Sequence, residues 1–176
     1  MRSVRLVSQL VALAVVGALL GVLVWRLTHQ TPTGRTGGPA PLFRAKLLAG
    51  DGTLSLTSLR GKPVVLNFFQ SSCAPCKAES KVLEAAYRRY RSQGVVFVGV
   101  DFQDALADAR RFVRVHGITY PVVRDPGPIV TRYGLIGTPE TFFIDRRGRL
   151  ASEPVIGTVV NQTKGFENGI RAAIDS

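Results

Sequence analysis

The sequence contains few of the residues that bind metals or cross-link small proteins. Its 176 residues include only two cysteines, two histidines, one methionine and one tryptophan. So few cysteines exclude a disulfide-rich scaffold, which depends on several bridges. A zinc site usually takes four cysteine or histidine ligands, and residues 42–176 offer only Cys73, Cys76 and His116 of these types. We therefore predict no metal site.

Acidic residues are absent from the first 41 positions, and the stretch from Leu6 to Trp25 has no charged residue. A helix of this length is roughly 30 Å long, which matches the hydrocarbon thickness of a bilayer. Trp25 and Arg26 then stand where interfacial anchors belong. A cleaved signal peptide is the alternative, but the residues that end the apolar stretch are too large for a cleavage site. The sequence predicts an uncleaved signal-anchor over residues 1–30, a transmembrane helix in the lipid bilayer.

The segment after this helix is rich in glycine, proline and threonine. Residues 31–41 are therefore interpreted as a linker, and residues 42–176 as one folded domain. Basic residues outnumber acidic ones by 23 to 12, which gives a net charge of +11. The arginines are scattered, and no basic stripe is interleaved with aromatic residues as base stacking would require. We expect solvated basic faces and no nucleic-acid partner.

Strand-like and helix-like segments alternate through the predicted domain. The apolar run Val64–Phe69 predicts a buried central strand, and apolar residues at helical spacing predict a helix over residues 74–92. Strands are also expected at residues 43–48, 53–56, 95–100, 120–123, 141–145 and 150–156, and helical segments at residues 104–116, 128–133 and 159–174. Strands that alternate with helices favour an α/β fold with a mostly parallel sheet covered on both faces.

Both cysteines lie in a Cys73-Ala74-Pro75-Cys76 motif between the buried strand and the following helix. Cys73 falls at the N-cap of that helix, where unpaired N–H groups and the helix dipole stabilise a thiolate. Pro75 fits the first turn because no N–H is needed there. Cys76 lies one turn further along the same side. These positions predict that Cys73 attacks a disulfide bond and that Cys76 resolves the mixed disulfide. A purely structural disulfide would close too short a loop to stabilise the chain much.

A second motif, Gly137-Thr138-Pro139-Glu140, comes just before a predicted strand. Together with VVLNFFQSSCAPCKAE and VVFVGVD, the stretch YGLIGTPETFFIDRRGRL resembles the membrane-anchored, thioredoxin-like thiol–disulfide oxidoreductases of the TlpA, ResA, CcmG and DsbE type. The resemblance covers residues 40–157. It implies a thioredoxin-like α/β fold, in which helices flank a central mixed sheet and a strand–helix unit is inserted.

The resemblance also implies a role for each residue of the two motifs. Cys73 would be the exposed nucleophile and Cys76 its buried partner. Their disulfide would be the redox-active group, so that no other cofactor is needed. The bond between Thr138 and Pro139 would be cis and would pack over this disulfide. Gly137 and Thr138 would then offer backbone groups to an extended protein substrate.

Four residues around the motifs are interpreted in the same way. Glu79 matches the family's active-site glutamate and would help to move the proton of Cys76, although an acid is also favourable in the first helical turns. Asn67 stands where cytosolic thioredoxins have a buried acid, so the proton relay of that acid is absent here. Ser72 replaces a tryptophan of most relatives, which leaves the substrate preference open. Glu140 is typical of the family and borders the site.

The resemblance implies an enzyme, anchored in the cell membrane by a single span, whose catalytic domain lies outside the cytoplasm. It would exchange electrons with protein dithiols and disulfides, and a membrane redox partner would recycle it. The favoured role is a reductant, as in cytochrome c maturation, where a haem-attachment dithiol must be kept reduced. An oxidase that forms disulfides in secreted proteins shares every motif and stays open.

Two other functions are disfavoured by the residues. Thiol peroxidases place a threonine or serine at a fixed spacing before the reactive cysteine, and Ser71 and Ser72 do not reproduce that spacing. A haem or copper carrier would need further methionine or histidine ligands, but Met1 is the only methionine in the chain.

Overall fold

The computed structural model describes residues 13–22 and residues 36–176, which belong to two separate units of the chain. Residues 13–22 are helical and exposed. Within these two described ranges, no helix has both the length and the apolar character that a membrane span requires. The anchor predicted over residues 1–30 and the linker predicted over residues 31–41 lie partly outside the described residues. Both stay predictions, as does the start of the domain at residue 42.

The described part of the domain contains seven strands in two sheets. The strands are β1 (Arg44–Lys46), β2 (Thr53–Ser55), β3 (Val64–Phe69), β4 (Val96–Phe102), β5 (Val122–Asp125), β6 (Glu140–Ile144) and β7 (Val155–Ile156). β1 and β2 form an antiparallel pair, and the other five form one sheet in the order β5-β4-β3-β6-β7. β4 runs parallel to both β3 and β5, whereas β6 runs antiparallel to both β3 and β7.

The central sheet is therefore mixed. The prediction of a mostly parallel sheet, made from the alternation of strands and helices, is wrong. That alternation indicates where strands and helices lie in the sequence. It does not indicate whether β6 runs parallel or antiparallel to β3. The chain also passes from β6 to β7 without an intervening helix, and such direct connections join antiparallel neighbours. The mixed sheet implied by the family resemblance is confirmed.

Four α-helices accompany these strands in the described domain. They are α1 (Ala74–Tyr90), α2 (Leu106–Val115), α3 (Pro128–Tyr133) and α4 (Thr163–Asp175), and single 3₁₀ turns lie at Leu56–Leu59, Arg91–Gln93 and Val159–Asn161. The limits of β3 and α3 agree with those expected from the sequence. The strand expected at residues 150–156 is reduced to β7, because only an isolated bridge joins Leu150 to Ile144. The C-terminal helix begins later than expected, after a 3₁₀ turn.

Side chains of the central strands alternate between two hydrophobic cores, one on each face of the sheet. Val65 and Phe69 of β3 belong to a core with residues of α1, α2 and α4. Leu66 and Phe68 belong to a second core, which includes residues of α3 and of the segment before β1. Every residue of β3 is buried. The strand that leads into the cysteine motif is therefore held from both sides.

Close packing of α4 on the sheet explains a glycine inside that helix. Glycine weakens a helix that has no tertiary partner. A Cβ atom at Gly169, however, would overlap the ring of Phe143 in β6. Phe143 is fully buried in the core beneath this helix. The missing side chain at Gly169 therefore lets α4 lie directly against β6.

The two edges of the central sheet are closed in different ways. At the β5 edge, the N–H of Leu48 donates to the carbonyl oxygen of Val122 at 2.8 Å, and Leu47 forms a bridge with Val123. The opposite edge strand, β7, is only two residues long. The cysteine motif and the proline motif lie between these edges, at the end of β3 and the start of β6.

Candidate active site

The turn after β3 places the first cysteine at the start of α1. The N–H of Cys73 donates to the carbonyl oxygen of Gln70 at 3.2 Å. Cys73 is the N-cap of α1, and its Sγ accepts the N–H of Cys76 at 3.1 Å. Pro75 lies in the first turn of the helix. The N-cap position predicted for Cys73 is confirmed, and its sulfur lies at the positive end of the helix dipole.

A disulfide bond joins the two cysteines, with an S–S distance of 2.02 Å. Cys73 is half-buried, whereas Cys76 is only 2% exposed. Access decides which sulfur an incoming thiol or disulfide reaches first, and here that sulfur belongs to Cys73. These exposures agree with the predicted order of attack and resolution, while the catalytic roles themselves stay a prediction.

The loop before β6 lies against the outer cysteine. The peptide bond between Thr138 and Pro139 is cis, as the resemblance implied. Cys73 Sγ is 3.6 Å from the carbonyl oxygen of Thr138, and the Thr138 hydroxyl donates to Gln70 Oε1 at 3.1 Å. Gly137 is exposed and Pro139 is buried. The loop thus presents exposed backbone beside the disulfide, where an extended peptide can pair with it.

Glu140 holds this loop in place. Its side chain is only 2% exposed, and its Oε1 accepts the N–H groups of Ile136 at 2.8 Å and of Gly137 at 3.0 Å. The carbonyl oxygen of Pro139 in turn accepts the N–H of Gly157 at 2.9 Å. The sequence placed Glu140 only at the border of the site, and the structure shows that its carboxylate fixes the backbone before Pro139.

Glu79 and Asn67 form a buried polar pair between α1 and β3, with exposures of 1% and 3%. Asn67 Nδ2 donates to Glu79 Oε1 at 2.9 Å and to Thr141 Oγ1 at 3.1 Å. The N–H of Val159 donates to Glu79 Oε2 at 2.9 Å. Burial raises the pKa of Glu79, although these hydrogen bonds act in the opposite direction. Glu79 follows Cys76 by three residues, so both side chains lie on one face of α1.

Sequence reasoning missed the residue that holds the turn before Cys73. The N–H of Ser71 donates to Asp104 Oδ2 at 2.5 Å. Asp104 follows β4, and β3 and β4 are parallel, so their carboxyl ends meet at the same edge of the sheet. The signal that could have found this contact is a pair of acids, Asp101 and Asp104, at the end of an otherwise apolar strand.

A cleft of about 390 Å³ opens beside Ser71. Lys77 of α1, Asp108 and Arg111 of α2, and His116 at the end of α2 line it. In the part of the chain that the structure describes, no group of three or more His, Cys, Asp or Glu residues could hold a metal ion. The chemistry available beside this cleft is that of the Cys73–Cys76 pair.

Comparison with protein families identifies the group to which the chain belongs. Residues 36–152 match the AhpC/TSA family, and this match is more than half of the 176-residue chain. The chain belongs to this family. The matched residues of this chain include both cysteines and the loop with the cis-proline bond.

Individual relatives of this chain have names that specify thiol–disulfide chemistry. The thiol-disulfide oxidoreductase ResA of Geobacillus thermodenitrificans is 32% identical over 161 residues, which cover 90% of this chain and 91% of the relative. The thiol:disulfide interchange protein DsbE of Pseudomonas fluorescens biotype C is 34% identical over 121 residues, which cover 68% of this chain and 66% of the relative.

A solved structure supports the same assignment. The crystal structure of a thiol:disulfide interchange protein described as DsbE, from Chlorobium tepidum, matches with a TM-score of 0.74 at 28% identity. The match covers 80% of this chain and 98% of that chain. The present chain is thus a thiol–disulfide oxidoreductase of the ResA and DsbE type with a thioredoxin-like fold. This family implies proteins with thiols or disulfides as its substrates.

Proposed function

We propose that this enzyme reduces protein disulfides outside the cytoplasm, in a role such as cytochrome c maturation, where a haem-attachment dithiol must stay reduced. The observation that carries the proposal is the disulfide between half-buried Cys73 and buried Cys76, beside the Thr138 carbonyl group. Such a pair transfers two electrons without any other cofactor. A membrane protein with its own dithiol would reduce the pair again after each cycle.

The exchange takes two steps. In the reduced enzyme, the Cys73 thiolate attacks one sulfur of the substrate disulfide and forms a mixed disulfide, while the other substrate sulfur leaves and takes up a proton. Cys76 then loses its proton and attacks Cys73 Sγ, which closes the Cys73–Cys76 disulfide and releases the second substrate sulfur as a thiol. Two electrons pass from the cysteine pair to the substrate, together with one proton from Cys76 and one from solvent.

Groups around the cysteines assist each step. The N–H of Cys76 donates to Cys73 Sγ, and the dipole of α1 adds positive potential, so the Cys73 thiolate is favoured over the thiol. Glu79 is a proton acceptor for Cys76 in the second step, because its buried carboxyl has a raised pKa and lies on the same face of α1. Asn67 orients that carboxyl through its hydrogen bond to Oε1.

Binding and placement complete the proposal. The substrate lies as an extended strand along residues 137–139, where the carbonyl oxygen of Gly137 can accept from it, since the Gly137 N–H already donates to Glu140. Residues 1–30 hold the domain at the cell membrane, with Ser176 outside the cytoplasm. The uncharged run from Leu6 to Trp25 supports this anchor.

Oxidation of substrate dithiols is a second candidate with an observation in its favour. The hydrogen bond from the Cys76 N–H stabilises a thiolate at Cys73. Any interaction that stabilises the reduced form makes the pair a stronger oxidant. A strongly oxidising protein of this fold has a reduction potential of about −120 mV, whereas thioredoxin, which acts as a reductant, has about −270 mV.

The reduction potential of the full chain distinguishes the two directions. The protein is equilibrated with buffers of graded thiol–disulfide ratio, and the fraction of reduced Cys73–Cys76 pair is measured by alkylation. We expect a value nearer about −270 mV than about −120 mV. A reduction potential near about −120 mV would favour the oxidase over the reductant. In a separate assay, rapid consumption of hydrogen peroxide would favour a thiol peroxidase. The Cys76→Ser variant, which cannot close the disulfide, is the control.

A further inference from the structure

Two acidic side chains lie beside the turn that carries Cys73, at the carboxyl end of β4. Asp101 stands opposite Phe69 of β3 in the sheet register and is only 1% exposed. The half-buried Asp104 is close enough to raise the pKa of Asp101, and Arg124 contacts both residues, through Asp101 Oδ2 and the Asp104 carbonyl oxygen. Two neighbouring carboxylates repel each other, so such a pair holds one proton over part of the pH range.

An oxygen atom without a partner indicates which residue carries this proton. Asp101 Oδ1 is buried and has no hydrogen-bond partner among the described residues. Arg124 faces the other oxygen, but its Nε is 3.6 Å from Oδ2, which is too long for a hydrogen bond. Burial and the nearby Asp104 raise the pKa of Asp101 to about 7. A protonated Asp101 can donate to Asp104, and this contact satisfies the buried oxygen.

Asp104 connects the acidic pair to the cysteine turn, because its Oδ2 accepts the N–H of Ser71 at 2.5 Å. The chain reaches Asp104 through Gln103, whose φ of 58° is a left-handed conformation that costs energy in a residue with a side chain. Nη2 of Arg124 donates to the Asp104 carbonyl oxygen at 3.0 Å and holds this strained turn. Strain maintained by surrounding contacts next to an active site is typical of a positioning element.

Ser71 lies in a turn that contacts both parts of the active site. The carbonyl oxygen of Gln70 accepts the N–H of Cys73, and the Gln70 side chain accepts the hydroxyl of Thr138. A shift of the Ser71 amide would therefore move this turn relative to the N-cap of α1 and relative to the loop before β6.

We propose that Asp101 and Asp104 are positioning residues for thiol–disulfide exchange at Cys73. Protonated Asp101 donates to the Asp104 carboxylate, which holds the Ser71 N–H and with it the turn before Cys73. When Asp101 releases its proton to solvent, the two carboxylates repel and the contact between Asp104 and Ser71 weakens. This inference rests on the proposed exchange at Cys73, but the state of the Ser71 amide can be measured without that activity.

Several charged groups surround the acidic pair and the turn. Arg124 of β5 faces Asp101 and favours its ionised form. Lys77 of α1, Asp108 and Arg111 of α2, and His116, which follows α2, line the cleft beside Ser71. A histidine also binds and releases protons, so His116 requires its own control in any experiment that varies pH.

The first experiment follows the Ser71 amide by NMR in the full chain, in mild detergent, from about pH 5 to about pH 9. The protein is kept in the disulfide form, in which neither cysteine titrates. We expect an inflection near pH 7 that Asp101→Asn abolishes and that His116→Gln leaves in place. A wild-type amide without an inflection would overturn the proposal, and so would an inflection that is lost in H116Q but kept in D101N.

The second experiment measures the rate of exchange at Cys73 against pH. Asp104→Ala removes the acceptor of the Ser71 N–H, and we expect exchange about tenfold slower at about pH 6, the effect of one lost charge-assisted hydrogen bond. Asp104→Asn keeps an acceptor oxygen and recovers part of this rate. Asp101→Asn stays neutral, so its rate profile loses the break near pH 7.

A matched control shows that these effects are local. Asp145 is also a buried aspartate, and its Oδ1 accepts the N–H of Arg149 at 2.7 Å. It follows Ile144, which pairs with the first residue of β3, Val64, so it lies at the end of the strand away from Cys73. Asp145→Asn should therefore keep the wild-type rate profile. A wild-type rate in folded Asp104→Ala would contradict the proposal. If that variant does not fold, the titration of the Ser71 amide in the wild-type protein tests the proposal instead.

Discussion

Cys73 and Cys76 differ in their access to solvent, although only two residues separate them. Cys76 is 2% exposed and Cys73 is half-buried at the N-cap of α1. We predict that iodoacetamide modifies reduced Cys73 well before Cys76, because the thiolate at the helix N-terminus is both more accessible and stabilised. Mass spectrometry after timed alkylation at several pH values measures the two rates. Equal rates at the two thiols would contradict the assignment of Cys73 as the nucleophile.

Removal of each cysteine gives a second reading of the same asymmetry. Cys73→Ser should abolish exchange, because the nucleophile is lost. Cys76→Ser should accumulate a mixed disulfide with substrate, because no thiol remains to resolve it. Non-reducing electrophoresis separates these two outcomes.

The buried carboxyl of Glu79 links folding stability to pH. Its pKa in the folded protein is raised above the usual value of a glutamate, 4.5, chiefly by burial. The unfolded state therefore loses this proton at a lower pH than the folded state, and Glu79 costs stability as the pH rises from about 4.5 through its folded pKa.

We predict that Glu79→Gln weakens this pH dependence. Urea unfolding of both proteins at several pH values measures the free energy of unfolding. The stability of the variant relative to wild type should increase as the pH rises. Loss of the hydrogen bond from Val159 also lowers the stability of the variant, but by the same amount at every pH. A difference that is the same at every pH would show that Glu79 does not bind its proton more tightly in the folded protein.

Residues of the site differ in how far the sequence could predict them. The positions of Cys73, Cys76 and Pro139 are carried by short motifs, and Glu79 lies within one helical turn of the second cysteine. The contact between Ser71 and Asp104 joins residues 33 positions apart and exists only because β3 and β4 are parallel and in a particular register. No local pattern carries that register, so this part of the site was not predicted.

The same distinction holds for the helices and strands. The apolar run of β3, which only Asn67 interrupts, and the turn residues that flank α3 are local signals, and both elements have the predicted limits. The antiparallel direction of β6 and the shortness of β7 depend on how distant segments meet. Local patterns therefore predicted where most elements lie, but not how the sheet is assembled from them.

The packing of α4 on β6 leads to a test within one helix. We predict that Gly169→Ala lowers the free energy of unfolding by about 1–3 kcal/mol, because the new Cβ would overlap the buried ring of Phe143. Gly165→Ala is the matched control, since a Cβ there would come no closer than 3.9 Å to Val155. That variant should be unchanged or more stable by up to about 1 kcal/mol, through helix propensity. Chemical denaturation measures both, and equal effects would exclude close packing as the cause.

The whole chain is expected to behave as a membrane protein. This expectation is based on the uncharged run from Leu6 to Trp25, which is long enough to span a bilayer. We predict that the full chain fractionates with membranes and that external protease removes the domain from intact spheroplasts. A variant that lacks residues 1–30 should be released from the membrane. Recovery of a natural soluble form without about the first 30 residues would show cleavage instead.

The closed edges of the central sheet bear on self-association. An edge strand with a long row of unpaired N–H and C=O groups is a template on which copies of a protein can aggregate. Here Leu47 and Leu48 cover β5, and β7 offers only two residues. The proposed binding of an extended substrate requires that the protein's own strands do not pair with one another. The backbone proposed to meet the substrate is confined to the short loop at residues 137–139, which is too short to nucleate a fibril.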